Sequence, residues 1–204
     1  MDMAGQYITG STSALAFDLG GTWLRAALVG AGGRIVAKAR RPTPREGPLA
    51  VVAAMAELAV GLASDGAAAG LGPAALVGVA APGPLDPTAG RILRMPNLAG
   101  WEDFPLAARL AKALGRPVHL QNDASLAALA EGRLGAGRGA DPLIYLTLST
   151  GIGGGILVGG KLLAGRHGLA GELGHLLLDR EGPECGLGHG TCLEALASGS
   201  ALAR

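Results

Sequence analysis

Aromatic residues are nearly missing from this chain, since Phe, Trp and Tyr together make up 3% of its 204 residues. A folded core must therefore be built from Ala, Val, Leu and Ile. With 49% hydrophobic residues the chain has enough of them to exclude intrinsic disorder. Charged residues are also few, at 16%, and the formal net charge is +1. This balance gives no reason to expect nucleic acid or an anionic membrane as a partner.

Long apolar runs, targeting segments and cysteine are scarce as well. We expect no apolar run of membrane-spanning length, and residues 1–13 lack the basic start and apolar block of a secretory signal. These absences favour a cytoplasmic protein. The length of 204 residues allows one large domain or two small ones. The two cysteines, Cys185 and Cys192, are close in sequence, and in a reducing compartment such a pair favours a metal site over a disulfide.

Glycine, by contrast, is abundant, with 36 residues. Residues 14–19 read as an apolar strand broken by Asp18, and Gly20-Gly21-Thr22 make the turn into a second strand. Two glycines let backbone N–H groups approach a phosphate closely, and Thr22 adds a hydroxyl. Asp18 can hold Mg²⁺ through water. An ordinary hairpin with a Gly-Gly turn explains the same residues about equally well.

A similar arrangement follows later in the chain. A strand over residues 143–148 ends in Ser149-Thr-Gly-Ile-Gly-Gly-Gly155, and strands over 156–158 and 161–163 form a hairpin across Gly159-Gly160. The repeated hairpin with a hydroxyl and glycines at its tip indicates two related α/β halves. One phosphate could sit between the two tips.

The pair Asn122-Asp123 lies where a strand over residues 117–120 meets an amphipathic helix over 124–134. Ligands of α/β sheets usually bind at the carboxyl ends of the strands, so the pair is a candidate functional site. The alternative is structural: Asp123 caps the helix and accepts hydrogen bonds from N–H groups of its first turn.

Further polar residues stand in apolar surroundings. Asn97 lies in a loop over residues 95–101, where it can bind a polar ligand or make its own Asx-turn. A second polar segment covers residues 170–175, a tight loop spans residues 185–192, and Glu194 opens a helix predicted over 193–203. Other predicted helices cover residues 49–63 and 105–114, and other strands cover 34–39 and 76–80.

Five motifs occur in one order: Asp18-Leu-Gly-Gly-Thr22, Asn122-Asp123, Ser149-Thr-Gly-Ile-Gly-Gly-Gly155, Gly171-Glu-Leu-Gly-His175 and Cys185…Cys192-Leu-Glu194. In order and spacing they resemble the ROK (repressor, open reading frame, kinase) family, and most of all its bacterial glucokinases, over residues 14–204. The resemblance implies an α/β, actin/hexokinase-like (ribonuclease H-like) fold with duplicated domains and a cleft for sugar and ATP. We expect a small N-terminal α/β domain over residues 1–115 and the start of a larger one over 116–204.

The resemblance also implies a role for each motif. Asp123 matches the family's catalytic base, which takes the proton from the sugar hydroxyl. The positions that match sugar-binding residues are Asn97, Asn122, Asp123, Glu172, His175 and Glu194. The positions that match the two phosphate loops are Asp18, Gly20, Gly21 and Thr22 in the first and Thr150, Gly151, Gly153 and Gly154 in the second. The positions that match ligands of a structural zinc are His175, Cys185 and Cys192.

The activity implied is ATP-dependent phosphorylation of a hexose at its 6-hydroxyl, with glucose as the substrate, Mg²⁺ as the metal cofactor and a dimer or tetramer as the assembly. A kinase for fructose, mannose or an N-acetylhexosamine and a non-catalytic sugar-binding ROK protein stay open as alternatives, as does polyphosphate as the donor. A DNA-binding repressor is disfavoured, because only about a dozen residues precede the first phosphate loop, too few for a helix-turn-helix.

The sequence departs from the family's pattern in three ways. Leu187 stands where the family has a further zinc-ligating cysteine, and Thr191 stands where it has glycine. Structural zinc sites have four ligands, so His189 is a hypothesis for the fourth, and the alternative is a tight loop without metal. Ser125 and Ser149 are small replacements of Asn and Gly. The family's kinases are also longer, and the missing part would supply much of the adenosine pocket. Either the second domain is truncated, or the fold closes differently, for example through an oligomer.

Overall fold

The computed structural model describes residues 13–95, 98, 100–166, 168–188 and 190–203. The chain forms two compact units, one that ends at Asp123 and one that begins at Ala124. The first unit extends beyond the boundary predicted at residue 115 because the strand over Val118–Asn122 pairs with a central strand of the first sheet.

In its described residues, the first unit combines one five-stranded sheet, one three-stranded sheet and two helices. In chain order its elements are β1 (Ser13–Leu19), β2 (Trp23–Val29), a 3-10 turn (Ala31–Gly33), β3 (Ile35–Pro42), α1 (Pro48–Ala68), β4 (Ala74–Ala81), β5 (Leu85–Asp86), β6 (Arg91–Arg94), β7 (Glu102–Phe104), α2 (Leu106–Leu114) and β8 (Val118–Asn122). The large sheet has the order β3-β2-β1-β4-β8. Strands β1, β2 and β3 form an antiparallel meander, and β4 and β8 run parallel to β1.

Alternation along β1 explains which face of this sheet is covered. Leu15, Phe17 and Leu19 are buried, as are Leu24 and Leu28 of β2, because successive side chains of a strand point to opposite faces. The core on this face is completed by α1 and α2, which contact each other. The other face of β1 is left to carry Asp18.

Helix α1 corrects the expectation that no apolar run reaches membrane-spanning length. It has 21 residues and a mean hydropathy of 1.6, so one helix in the described part of the chain is long and apolar enough to cross a bilayer. Length and composition are weak evidence, however, since core helices pass the same test. Here Val51, Val52 and Met55 are buried, and Glu57 pairs with Arg41 of β3 at 2.6 Å. The helix also runs past the predicted end at residue 63, through the buried Gly66.

The second unit is smaller and has shorter elements. They are α3 (Asp123–Leu134), whose first residue belongs to the first unit, β9 (Leu143–Leu148), β10 (Ile152–Val158), β11 (Lys161–Leu162), a 3-10 turn (Leu173–His175), β12 (Leu177–Asp179), β13 (Thr191–Cys192), α4 (Leu193–Ala197) and α5 (Gly199–Leu202). Strands β9, β10 and β11 form an antiparallel meander like that of β1, β2 and β3, and β12 pairs with β13.

Two predicted elements of this unit differ from the observed ones. The strand predicted to begin at Ile156 begins at Ile152, so Gly153, Gly154 and Gly155 are strand residues rather than loop residues. The helix predicted over residues 193–203 is two helices, because Ser198 adopts an extended conformation (φ −72°, ψ 164°) and its hydroxyl accepts a hydrogen bond from the N–H of Ala201. The predicted hairpin across Gly159-Gly160 is confirmed, and both glycines have positive φ.

Candidate active site

The first glycine turn, residues 20–22, is held from one side by Thr43. The Thr43 hydroxyl donates to Gly20 O at 2.7 Å, and its backbone N–H donates to Thr22 O at 3.0 Å. Gly21 is exposed, and a Cβ built there would meet nothing within 4 Å, so its backbone is open to an incoming group. The sequence-based interpretation missed Thr43, because only the folded chain brings the end of β3 against the turn.

Asp18 forms an ion pair across the hairpin. Its Oδ2 lies 2.7 Å from Nη1 of Arg25, and both side chains are about half exposed, at 46% and 53%. The two residues are direct partners in the β1–β2 register. The sequence-based interpretation did not include Arg25. A hairpin with its turn at Gly20 and Gly21 nevertheless pairs residue 18 with residue 25.

The Asn122-Asp123 pair sits at the carboxyl edge of the same sheet. In the parallel registers Asp18 is opposite Ala80, and Asn122 is opposite Ala81. Asp18 and Asn122 are therefore two strands apart near one edge, about 10 Å at the usual strand spacing. The strand order thus places the first glycine turn and Asn122 in one sheet, although the sequence predicted them in separate domains, over residues 1–115 and 116–204.

Asn122 ends β8, and Asp123 is the first residue of α3. The backbone N–H of Asn122 donates to Oε1 of Gln121 at 2.8 Å. A carboxylate in the first turn of a helix is favoured by the positive end of the helix dipole. The junction between β8 and α3 therefore determines where the backbone of Asp123 lies.

The second glycine turn, residues 149–151, is bound to α4 and α5. Oε2 of Glu194 accepts a hydrogen bond from the N–H of Ile152 at 2.7 Å, and a Cβ at Gly151 would overlap that oxygen. Ser149 O accepts from the N–H of Gly199 at 2.8 Å. The resemblance predicts Glu194 as a sugar ligand. In the structure its carboxylate also holds the second glycine turn in position, a role that the sequence did not indicate.

The Gly171-Glu-Leu-Gly-His175 segment packs on β10 through its backbone. A Cβ at Gly174 would overlap the carbonyl of Ile152, and one at Gly154 would lie 2.7 Å from Gly171 O. Gly171 has a φ of +95°, which glycine adopts without strain. The glycines at 154, 171 and 174 let two backbones approach, and this contact places Glu172 at the N-terminal boundary of the 3-10 turn and His175 at its end.

Of the four residues predicted for the second phosphate loop, two lie in a turn and two lie in strand β10. Thr150 and Gly151 lie in the turn, and Thr150 O accepts from the hydroxyl of Ser200. Gly153 and Gly154 lie in β10, and a Cβ at Gly153 would be 3.1 Å from Cβ of Ala124 in α3. Packing alone accounts for glycine at residue 154, and at residue 153 a Cβ would be in tight contact with Thr147 and Ala124.

The loop over residues 185–192 brings three metal-binding side chains together. The donor atoms of His175, Cys185 and Cys192 all lie within 4.8 Å of one another. Nδ1 of His175 is 3.3 Å from Sγ of Cys185. Hydrogen bonds from Cys185 N to Gly190 O at 2.9 Å and from Gly188 N to Cys185 O at 2.8 Å hold the loop.

Burial controls the electrostatics of this cluster. Cys185 and Cys192 are 4% and 0% exposed, and neither forms a disulfide. Burial raises the pKa of the Cys185 thiol, and the N–H of Leu187, which donates to its Sγ at 3.4 Å, opposes that rise. The neighbouring Cys192 raises this pKa further. The Cys185 thiol therefore needs a nearby cation more than an exposed thiol would in order to ionise.

The donor set fits a zinc ion with three protein ligands, because two thiolates and an imidazole are ligands that zinc prefers. It does not by itself supply the four protein ligands of a closed structural site. Two predicted residues, Asn97 and His189, lie outside the described residues. The other predicted sugar and zinc positions of the second unit lie at three elements. Glu172 and His175 lie at the two ends of the 3-10 turn against β10, Glu194 lies in α4, and the two cysteines lie in the loop over residues 185–192.

The chain resembles known sugar kinases over almost its whole length. The glucokinase of Thermotoga maritima is 43% identical over 188 residues, which are 92% of this chain and 57% of that protein. The N-acetylmannosamine kinase of Shigella boydii is 41% identical over 190 residues, which are 93% of this chain and 62% of that protein. The chain thus spans about three fifths of the length of these relatives.

Solved structures agree with this similarity. The ROK hexokinase of Thermus thermophilus has a TM-score of 0.85 at 46% identity and covers 94% of this chain and 62% of its own. The ROK family glucokinase of Streptomyces griseus, in complex with glucose and AMPPNP, has a TM-score of 0.77 at 38% identity, with 93% and 58% covered. The predicted actin/hexokinase-like α/β fold is confirmed by these neighbours. Because residues 14–204 also match the ROK family, the chain belongs to that family.

Proposed function

We propose that this chain carries the sugar-binding and phosphate-binding residues of an ATP-dependent hexokinase that phosphorylates glucose at its 6-hydroxyl. The observation that supports this most is the position of Asp123. It follows Asn122 at the carboxyl edge of the sheet whose central hairpin carries Asp18 and the first glycine turn. The similarity to a glucokinase, at 43% identity, points to the same substrate.

Asp123 is proposed as the general base. A carboxylate within hydrogen-bond reach of the 6-hydroxyl can take its proton as the oxygen attacks the terminal phosphate, which contributes roughly 10²–10⁴-fold to the rate. Sugar hydroxyls are both donors and acceptors, so amides, carboxylates and an imidazole are suitable partners. The residues proposed to bind them are Asn97, Asn122, Asp123, Glu172, His175 and Glu194.

The glycine turns are proposed to bind the phosphates of ATP. Phosphoryl transfer needs mostly positioning and charge neutralisation from the protein, and Mg²⁺ supplies part of that charge when bound. Backbone N–H groups of Gly20 and Gly21 and the hydroxyl of Thr22 are proposed in the first unit. Thr150, Gly151, Gly153 and Gly154 are proposed in the second. Asp18 would hold the Mg²⁺ ion through water, in competition with its ion pair to Arg25.

We propose further that His175, Cys185 and Cys192 hold a structural zinc ion. Their donor atoms lie within 4.8 Å of one another, and the two thiols are buried. The ion would stabilise the loop over residues 185–192 and, through His175, the 3-10 turn next to Glu172. A homo-oligomer, dimer or tetramer, in the cytoplasm is proposed as the setting of the reaction, and light scattering of the purified chain measures the assembly.

A second candidate function is phosphorylation of an N-acetylhexosamine. It is favoured by the 41% identity to an N-acetylmannosamine kinase. Both functions use hydroxyl-binding side chains, and they differ in whether the site leaves room and a partner for an acetamido group. A panel of glucose, mannose, fructose and N-acetylmannosamine, with ATP or polyphosphate as donor, separates these possibilities.

The experiment that tests the proposal compares the chain with Asp123→Asn and Asp65→Asn variants on this panel. We expect turnover on glucose with Mg²⁺ and ATP, a loss of about 10²–10⁴-fold in kcat for Asp123→Asn, and retained glucose binding by calorimetry. Asp65 is an exposed residue of α1, so its variant controls for the loss of a carboxylate. Equal turnover of the three proteins would contradict Asp123 as the base. Glucose binding without turnover in the unaltered chain would instead support a non-catalytic sugar-binding protein.

A further inference from the structure

The metal-binding cluster of the second unit has three donors in the part of the chain that the structure describes. His175, Cys185 and Cys192 form the group, and no described carboxylate joins them. Glu194, whose charge acts on Cys185, already accepts a hydrogen bond from the N–H of Ile152 through Oε2. A zinc ion bound here would therefore have one coordination position without a donor from these residues, since zinc takes four ligands.

Leu187 lies in the same loop as Cys185, two residues further along the chain. Its backbone N–H donates to Sγ of Cys185 at 3.4 Å, so the main chain of residue 187 lies against the sulfur. Its side chain has no donor atom and is 66% exposed. The loop is thus open to solvent at the residue that is in contact with a ligand sulfur, whereas Cys185 and Cys192 themselves are almost fully buried.

We propose that the metal held by His175, Cys185 and Cys192 keeps an exchangeable fourth ligand from solvent, a water molecule or a small anion, on the Leu187 side of the loop. This inference rests on the proposed zinc site and not on the kinase activity. Zinc sites with three protein ligands keep their fourth position open, whereas four-ligand sites are closed. The bound ion therefore accepts small ligands without loss of any protein ligand.

A Co²⁺ titration of the metal-free chain under reducing conditions tests the proposal. The visible absorption of bound Co²⁺ reports its coordination, and azide serves as the entering ligand. We expect azide to shift the spectrum of the unaltered chain. In Leu187→Cys a third thiolate fills the position, so azide should have no effect and the metal should bind more than about tenfold tighter, since even the loss of an outer-shell partner costs roughly 10–100-fold.

Two further variants keep the outcomes distinct. Cys192→Ser should lose Co²⁺ binding, and unchanged binding would overturn the zinc site itself. His189→Ala should keep both its affinity and its response to azide. If His189→Ala instead loses affinity as strongly as Cys192→Ser, the site is closed by a fourth protein ligand and the open position is overturned. If Leu187→Cys does not fold, the absence of an azide response in the unaltered chain alone overturns the proposal.

Discussion

At the residue scale, the carboxylate of Asp18 has a neighbour that limits how it can act. Arg25 lies 2.7 Å away on the adjacent strand, and both side chains are about half exposed. Exposed ion pairs contribute about 0–1 kcal/mol to stability, so this pair is weak as a structural element. Its effect is to hold the Asp18 carboxylate on the open face of the sheet, beside the first glycine turn.

We therefore predict that Asp18→Asn lowers Mg²⁺-dependent turnover by roughly 10–100-fold, as expected for a carboxylate that acts on a metal through water. The melting temperature should change little. Turnover and nucleotide binding across a range of Mg²⁺ concentrations measure the effect. Glu57→Gln is the matched control, because it breaks a similar exposed ion pair, with Arg41 at 2.6 Å, away from the site. Equal turnover of the two variants would contradict a metal role for Asp18.

Site residues that lie at the ends of local strand patterns could be predicted from the sequence, whereas contacts between residues far apart in the chain could not. Asp18, Asn122 and Asp123 stand where strand patterns end, so local sequence was enough to locate them at the sheet edge. Thr43 holds the first glycine turn from the end of another strand, and no local pattern reveals such a contact. Glu194 was predicted as a sugar ligand, but its hydrogen bond to Ile152 N joins residues 42 apart.

At the scale of elements, β10 and the Gly171–His175 segment determine each other's position. Glycine is depleted in strands, so the run at 153–155 read as a loop, and the strand was predicted to begin too late. The structure shows the reason for these glycines: β10 is approached by α3 and by the backbone of residues 171–174. The same close approach explains both glycines of the 171–175 motif.

Gly174→Ala tests this contact. The new Cβ would overlap the carbonyl of Ile152, which belongs to a strand and cannot move aside cheaply. We expect a loss of about 1–3 kcal/mol in the free energy of unfolding, typical of overpacking, measured by urea denaturation. Gly186→Ala is the control, since a Cβ there meets nothing within 4 Å, and its effect should stay within about 0.5 kcal/mol. Similar losses in both variants would show that the contact does not limit packing.

At the scale of the whole chain, the two units differ in what holds them together. The first has a continuous buried cluster that joins the sheet to α1 and α2. In the described part of the second, the buried cluster around the cysteines consists of Cys185, Cys192 and Ala195. The fold class was implied by the family resemblance that the five motifs carry. The unit boundary did not, because the membership of β8 depends on strand pairing with β4.

This difference predicts an uneven response to chelation. Because metal binding energy contributes directly to folding in small metal-bound segments, removal of zinc by EDTA should speed hydrogen exchange over residues 172–203. Exchange in β1, β4 and β8 should not change, since their protection comes from a separate core. Mass spectrometry of peptides from both units measures it. In Cys192→Ser, residues 172–203 should exchange fast with or without EDTA. A uniform change along the unaltered chain would contradict the prediction.

The backbone contact between β10 and residues 171–174 has a consequence for how this sequence can vary. A Cβ at residue 154 or 174 would overlap the opposing backbone, and one at residue 171 would be in tight contact with it at a positive φ. No change of rotamer relieves these contacts. A substitution on one side is tolerated only if the opposing backbone shifts, and that shift would also carry Glu172 and His175. The glycines of β10 and those of residues 171–174 are far apart along the chain, but a substitution in one segment restricts the substitutions that the other segment can accept.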